Sequence, residues 1–127
     1  MARQPSFATI IVGPNDLSRE GCIRILRSAN FRILDSVSRA DDFRGKAAPS
    51  LFLVIHTGDE FGSLAEQIRV LRTRYSDSQI TVVTDRYRPD ELVSVFRAGA
   101  SGYFVESITP DVFISSLKLI MLPTRCT

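Results

Sequence analysis

Residues 51–55 read LFLVI, five apolar residues in a row, and this stretch decides the fold class. A strand with one face in water alternates apolar and polar residues, whereas an uninterrupted apolar run is typical of a strand that is covered on both faces. Cover on both faces is characteristic of parallel sheets, because their crossover connections place helices on each side. The run therefore predicts an inner strand of a parallel α/β sheet.

Further short apolar runs flank this strand, and segments with helical spacing lie between them. In chain order the predicted strands are FATIIV at 7–12, FRILDSV at 31–37, LFLVI at 51–55, ITVVT at 80–84 and GYFV at 102–105. Parallel neighbours need crossovers, and right-handed crossovers distribute the helices over both faces. We therefore predict a three-layer α/β/α sandwich of the flavodoxin-like, doubly wound type, with five parallel strands in the order 2-1-3-4-5.

Capping and periodicity indicate where the helices lie. Ser63 followed by Glu66 predicts a capping box, Pro89 and Pro110 predict first turns, and Gly99 predicts a helix end. The second helix is predicted over residues 40–48, although a glycine interrupts this short polar segment. Two apolar faces are predicted from the spacing, one in the first helix and one in the third: Leu17, Gly21, Cys22, Ile25 and Leu26, and then Leu64, Ile68, Leu71 and Tyr75.

Length and composition are those of one ordinary domain. With 127 residues, 44% hydrophobic and 24% charged, we predict a single domain over 1–127, with a core over 7–122 and the start of a linker or tail at 123–127. The net charge of +2 is spread along the chain, which argues against direct nucleic-acid binding. No apolar run approaches the about 18 residues of a membrane span, and no signal peptide is apparent, so we expect a cytoplasmic protein with Cys22 and Cys126 reduced.

The segment AGASGYFVES at 98–107 carries a family resemblance. It resembles the GA-x-GY-L-L-K segment of the receiver domain of bacterial response regulators, especially the NarL/FixJ, or LuxR-type, branch. SREG at 18–21, PSLFLV at 49–54 and VVT at 82–84 support the resemblance, which extends from about residue 7 to 120. It implies a CheY-like receiver of a two-component system, acting in phosphorelay signal transduction and transcription regulation.

The resemblance also implies a phosphotransfer site, and several of its positions are substituted here. In the family, two adjacent acids after strand one bind Mg²⁺, an aspartate at the tip of strand three accepts the phosphoryl group, and a lysine ends strand five. Residue by residue, the acids fall on Gly13 and Pro14, the acceptor falls on Ile55, and the lysine falls on Glu106. Thr84 and Tyr103 match the family's switch pair, which couples phosphorylation to a surface rearrangement.

These substitutions remove the chemistry. Mg²⁺ needs hard oxygen ligands, which the side chains of glycine, proline and isoleucine do not supply. Isoleucine has no nucleophile, so no acyl phosphate forms at that position, and a glutamate in place of the lysine repels a phosphoryl group. We therefore predict a degenerate receiver, or pseudo-receiver, that has no catalytic residue, metal or cofactor and is not an enzyme.

Other polar residues near the strand ends are interpreted as structural. His56 is predicted to point away from the side of Ile55, because consecutive strand residues face opposite sides. Asp59 and Glu60 begin a loop and are expected to be solvated. Either Asn15 or Asp16 is expected to serve the first turn of helix one, as an N-cap or a first-turn acid, and not as a metal ligand.

Loss of phosphorylation leaves protein contacts as the predicted mode of action. An apolar patch on the last helix and on the outer side of helix one predicts a homodimer, since such patches usually mark contact sites; the alternative is that these are ordinary surface residues. The resemblance implies a C-terminal DNA-binding output domain, in a longer chain of which this is a fragment or, for a stand-alone receiver, on a partner. The dimer-face candidates are Ile23, Val112, Ile114, Leu119 and Met121.

Two alternatives to a purely protein-binding module stay open. One is a pseudo-receiver that binds a small molecule in the emptied pocket, near Gly13, Thr84 and Glu106. The other is a flavodoxin-like protein that binds a nucleotide or flavin. The loop VGPNDLSRE argues against the second, because it has a single glycine and no glycine-rich or hydroxyl-rich run to hold a phosphate.

Overall fold

The computed structural model describes residues 6–45, 48–58 and 62–122. Within them the strands pair in parallel in the order β2-β1-β3-β4-β5, which confirms the predicted fold class and strand order. In chain order the elements are β1 (Phe7–Val12), α1 (Asp16–Ser28), β2 (Phe31–Val37), β3 (Leu51–His56), α2 (Gly62–Arg74), β4 (Gln79–Thr84), α3 (Pro89–Ala98), β5 (Gly102–Val105) and α4 (Pro110–Ile120).

The apolar run of β3 is covered on both faces, as predicted. Phe52 and Val54 pack into a core cluster that includes side chains of α2 and α3. Leu53 and Ile55 pack into a second cluster, on the opposite face, that includes side chains of α1 and α4. Because the strand lies between β1 and β4, its backbone is also paired along both edges. The carboxyl end of β3 thus opens at the centre of one edge of the sheet.

The prediction of a second helix over residues 40–48 is wrong. The structure has a single 3₁₀ turn there, at Ala40–Asp42, and residues 46–47 lie outside the described part of the chain. Phe43 has an extended backbone and is buried, with its ring centroid 5.7 Å from that of Phe52. One large apolar side chain is not enough to hold a helix on the core, and an extended chain lets that side chain reach it.

The apolar face of α1 is rotated from the one predicted. Leu17 is 82% exposed and Gly21 is exposed, whereas Ile23 and Leu26 are buried and the predicted Cys22 and Ile25 are partly buried against the same core cluster. Ile23, at 4% exposure, is therefore a core residue, and its assignment to an outer dimer face is wrong. The apolar residues of this helix are compatible with two adjacent stripes, and only packing against the sheet chooses between them.

Most of the predicted helix ends are confirmed. The side chain of Asn15 caps α1 by accepting from the amide of Ser18 at 3.1 Å, and Gly99 ends α3 with a φ of 118°. Pro89 and Pro110 lie in the first turns of α3 and α4. Ser63 is not an N-cap, because α2 already includes Gly62. None of these helices, in the part of the chain that the structure describes, is long and apolar enough to cross a bilayer.

The rotated face of α1 predicts a contrast between two substitutions on the same helix. Ile23→Ala should lower the free energy of unfolding by about 2–5 kcal/mol, because it leaves a cavity in the core. Leu17→Ala should change it by no more than about 0.5 kcal/mol, because that side chain lies in water. Urea denaturation followed by circular dichroism measures both values. Equal losses in the two variants would show that the helix faces the sheet differently.

Candidate functional site

The ends of β1 and β3 are in direct contact at the carboxyl edge of the sheet. The Cα of Gly13 lies so close to β3 that a Cβ placed on it would be 3.1 Å from the Cβ of Ile55 and 3.3 Å from its carbonyl oxygen. The Gly13 amide donates to the carbonyl of Val37 at 2.9 Å, which fixes the loop after β1. Pro14, the next residue, is exposed. A carboxylate side chain at position 13 would require Ile55 to move. Gly13, Pro14 and Ile55 themselves supply no side-chain oxygen.

An arginine occupies the side of this contact that faces α1. The Arg19 guanidinium donates to the carbonyl of Gly13, to the carboxylate of Asp16 and, from Nε at 2.9 Å, to the hydroxyl of Ser36. Within the described residues, no three histidine, cysteine, aspartate or glutamate side chains come together in a way that could hold a metal ion. The described residues at this edge therefore do not fit the Mg²⁺ ion of a receiver. The Arg19 guanidinium already bonds to the oxygens of Gly13, Asp16 and Ser36.

Glu106, directly after β5, brings a negative charge to the same edge. Its amide donates to the carbonyl of Thr84 at 2.8 Å, and its side chain is exposed. Burial, and then the charge of Glu106, raise the pKa of the Cys22 thiol. A carboxylate thus stands where the family resemblance implies a lysine, and Cys22 stays in its neutral form at ordinary pH.

A buried carboxylate organises the other face of the sheet. Glu91 of α3 is fully buried, and its Oε1 accepts from the hydroxyl of Tyr103 at 2.7 Å. Its Oε2 lies 3.4 Å from Nε2 of His56 and 3.8 Å from the guanidinium of Arg88. A charge taken out of water is costly unless donors and opposite charges surround it. The Tyr103 hydroxyl thus satisfies Oε1, whereas Oε2 and the His56 Nε2 have no hydrogen-bond partner among the described residues.

Arg88 joins the two residues that match the switch pair. Its guanidinium donates to the hydroxyl of Thr84 at 3.0 Å and to the carboxylate of Asp85 at 2.8 Å, and its amide donates to the hydroxyl of Tyr103 at 3.2 Å. The hydrogen bond from Arg88 holds the pKa of Asp85 well below its usual range, with a smaller contribution from the amide of Gly58. Thr84 and Tyr103 thus belong to one polar network that consists of the protein's own charges.

Sequence reasoning missed the centre of this network. His56 lies on the opposite face of β3 from Ile55, as predicted. Its side chain is close to the buried carboxyl group of Glu91, which the sequence did not indicate. Glu91 follows Pro89 by two residues, and from that position alone the sequence indicates only an ordinary acid of a first helical turn. The signal that identifies it is periodicity, because Glu91, Val95 and Ala98 occupy i, i+4 and i+7 on the buried stripe of α3. A charged residue on such a stripe predicts a buried partner.

The outer face of α4 is partly as predicted. Val112 and Leu119 are 54% and 69% exposed, whereas Ile114 and Met121 are half-buried and pack against the core cluster between the sheet, α1 and α4. The free apolar surface of this helix is therefore smaller than the sequence suggested. Asp59, Glu60 and Cys126 lie outside the described residues.

Comparisons with known proteins support the fold. No protein-family model matches the chain, and no curated protein sequence matches it. Its structure is similar to a LuxR-family two-component response regulator from Aurantimonas sp. SI85-9A1, with 21% identity, a TM-score of 0.76, and coverage of 92% of this chain and 86% of that chain.

Two further structures have the same fold. The signal receiver domain of the response regulator NarL from Mycobacterium tuberculosis is 14% identical, with a TM-score of 0.76 and coverage of 93% of this chain and 98% of that one. The response regulator RcsB from Salmonella typhimurium is 15% identical, with a TM-score of 0.75 and coverage of 91% of this chain and 58% of that one. The chain therefore has the fold of response-regulator receiver domains, including those of LuxR- and NarL-type proteins.

The bond between Tyr103 and Glu91 predicts an alkaline loss of stability. Burial, and then the hydrogen bond to Glu91, raise the pKa of Tyr103 in the folded state. In the unfolded chain tyrosine titrates near pH 10, so the folded state holds the phenol proton more tightly than the unfolded state does. This contribution is present below about pH 10 and is lost as the pH rises through the raised folded-state pKa.

Tyr103→Phe tests this interpretation, with the exposed Tyr87→Phe as the matched control. The first should lower the free energy of unfolding by about 1–3 kcal/mol at neutral pH, because it removes a donor from a buried carboxylate. It should also flatten the decline in stability above about pH 10, which the control should keep. Urea denaturation across the pH range measures both effects. An unchanged decline in Tyr103→Phe would mean that another group causes it.

Proposed function

We propose that the chain is a degenerate receiver domain of a LuxR- or NarL-type response regulator, which acts in signal transduction through protein contacts and without aspartyl phosphorylation. The observation that carries the proposal is the contact between Gly13 and Ile55, since it fills with hydrocarbon and backbone the place where a receiver needs its acids. On this proposal the domain is a signalling module of the cytoplasm and not an enzyme.

The chemistry of phosphoryl transfer supports this interpretation. An acyl phosphate requires a carboxylate nucleophile and a cation that neutralises the incoming phosphoryl oxygens. Ile55 supplies no nucleophile, and the Arg19 guanidinium is engaged by Gly13, Asp16 and Ser36. His56, the nearest nitrogen nucleophile along β3, lies on the other face of the strand.

The state of the switch pair follows from the same network. In the family that the chain resembles, this pair responds to the phosphoryl group. Here Arg88 bonds to Thr84, and Glu91 bonds to Tyr103, without any added group. We infer that the surface around α3 and β5 is held by these internal contacts. A partner or ligand that breaks them would then change the surface, in place of phosphorylation.

Incubation with acetyl phosphate and Mg²⁺ tests the central point. The intact mass of the protein should stay unchanged, because position 55 has no group that can form an acyl phosphate. A receiver of the same fold that retains its aspartate, treated in parallel, should gain a phosphoryl group that hydroxylamine removes. The same hydroxylamine-sensitive mass gain on this chain would contradict the proposal.

The proposed partners are a second copy of the chain and a DNA-binding output domain. Val112 and Leu119 expose apolar surface on the outer side of α4, and Leu17 exposes more on α1. Such surface favours an isologous contact through the α1 and α4 side of the sandwich. The output domain is proposed by analogy with the RcsB response regulator, whose structure concerns interaction with DNA. We do not propose that the receiver domain itself binds nucleic acid.

The double variant Val112→Glu/Leu119→Glu tests the dimer. It should raise the dimer dissociation constant at least tenfold, because two charges would be placed in an apolar contact at a cost of about 1.4 kcal/mol or more. Val93→Glu is the matched control, since Val93 is an exposed apolar residue on α3. Sedimentation equilibrium measures the association. A loss of dimer in the control alone would place the contact on α3.

The flavodoxin-like alternative has little support from the loop after β1. A nucleotide or flavin phosphate needs free amides at the start of α1. The Ser18 amide is bonded to Asn15, and the Arg19 amide is bonded to the carbonyl of the same residue at 3.1 Å. The Asn15 side chain thus takes one amide at the start of α1, and the loop has no glycine-rich run to hold a phosphate, so we do not propose this function.

A further inference from the structure

A cavity of about 270 Å³ opens at the carboxyl edge of the sheet, on the side of α2. It lies between the ends of β1 and β3, the segment after β2, and the first turn of α2. It is not the pocket that the sequence suggested, because Gly13 lines it but Thr84 and Glu106 do not. Gly13, Pro14 and Ile55 are among its lining residues, so the cavity adjoins the contact of Gly13 with Ile55.

We propose that this cavity binds a small molecule that carries a phosphate or carboxylate group. Arg39 and the hydroxyl residues Ser38, Thr57 and Ser63 contribute to its lining, and none of the described lining residues is an aspartate or glutamate. The Asp42 carboxylate accepts from the Arg39 amide at 3.3 Å but does not line the cavity. Within the described lining, a cation and several hydroxyls suit an anion. The apolar part of the wall, which includes Leu64, suits a short hydrocarbon portion of the same ligand.

The start of α2 adds to this preference. The first amides of a helix have no partner within the helix, and the helix dipole makes that end positive. Ser63 and Leu64 belong to the first turn of α2, a helix of 13 residues, and both line the cavity. An anion between this turn and Arg39 would meet helix amides on one side and a guanidinium on the other.

The walls are held before any ligand arrives. The amide of Ala40 donates to Oε1 of Gln67 at 2.9 Å, which ties the segment after β2 to α2. Ala40 itself is fully buried, and the amide of Gly13 is bonded to the carbonyl of Val37. Arg39 thus lies between two anchored residues. A cavity that is already formed loses little conformational entropy when a ligand binds.

His56 connects the cavity to the network around Glu91. The residue lines the cavity, and its Nε2 lies 3.4 Å from Oε2 of the Glu91 carboxylate, which bonds to Tyr103. A ligand that contacts the imidazole changes the environment of this carboxylate. A ligand bound in the cavity would then affect the switch pair, Thr84 and Tyr103. Only this last step rests on the proposed signalling function.

Titration of the ¹⁵N-labelled full chain tests the site. The probes are inorganic phosphate, pyrophosphate and succinate, each at constant ionic strength, with sodium chloride as the blank. We expect saturable shifts of the amide signals of Arg39, Ser63 and Leu64 with at least one probe, and the three arms show whether phosphate or carboxylate is preferred. Shifts that do not saturate, match the chloride blank, or fall elsewhere in the chain would overturn the proposal.

Two variants separate binding from folding. Arg39→Gln should weaken binding about tenfold, because it removes a charged hydrogen-bond donor, whereas Arg97→Gln, the same charge change on α3, should leave it unchanged. Ser63→Asp should abolish binding without lowering the Tm, because an acid in a first helical turn favours the helix but repels an anion. Retained binding in Ser63→Asp, or equal weakening by Arg39→Gln and Arg97→Gln, would refute the site.

The link to the switch pair has its own readout. Probe binding should shift the amide signal of Tyr103, and His56→Asn should remove that shift while the signals of Ser63 and Leu64 still respond. Binding that leaves Tyr103 unmoved would overturn the link but not the site. The phosphorylation prediction is tested separately, because it is measured by intact mass and hydroxylamine sensitivity and not by these amide signals.

Discussion

The rest of the structure depends on one constraint, the burial of the Glu91 carboxylate beneath α3. A carboxyl group that is removed from water needs donors, and Tyr103 of β5 supplies one to Oε1, whereas His56 at the end of β3 lies 3.4 Å from Oε2 without a hydrogen bond. The carboxyl group also draws in Arg88, which in turn bonds to Thr84. Residues of β3, β4, β5 and α3 thereby meet around one buried carboxyl group.

The carboxyl edge is divided by β3 into two unlike halves. On the α1 side, Ile55 and Arg19 close around Gly13, so a side chain at that position would crowd Ile55. On the α2 side a cavity remains, lined by Arg39 and hydroxyls. His56 borders that cavity and also the buried carboxylate.

Periodicity was a sound guide where an element had one dominant signal. The uninterrupted run of β3 predicted two-sided cover, and capping residues such as Asn15 and Gly99 predicted helix ends. It failed where signals competed. In α1 two apolar stripes lie side by side, so Ile23 was assigned outward although it is buried. After β2 a single phenylalanine, Phe43, decided the path of the chain, because its burial outweighed helix propensity.

The sequence by itself determined the α/β sandwich, the strand order and the identity of the side chains at positions 13, 55 and 106, because local pattern and residue type are readable without contacts. Only the tertiary structure decided that Glu91 is buried with His56 and Tyr103, and that Arg39 faces a cavity with the start of α2. The physical reason is that the burial and electrostatic partners of a side chain depend on residues distant in sequence, which meet only when the sheet forms.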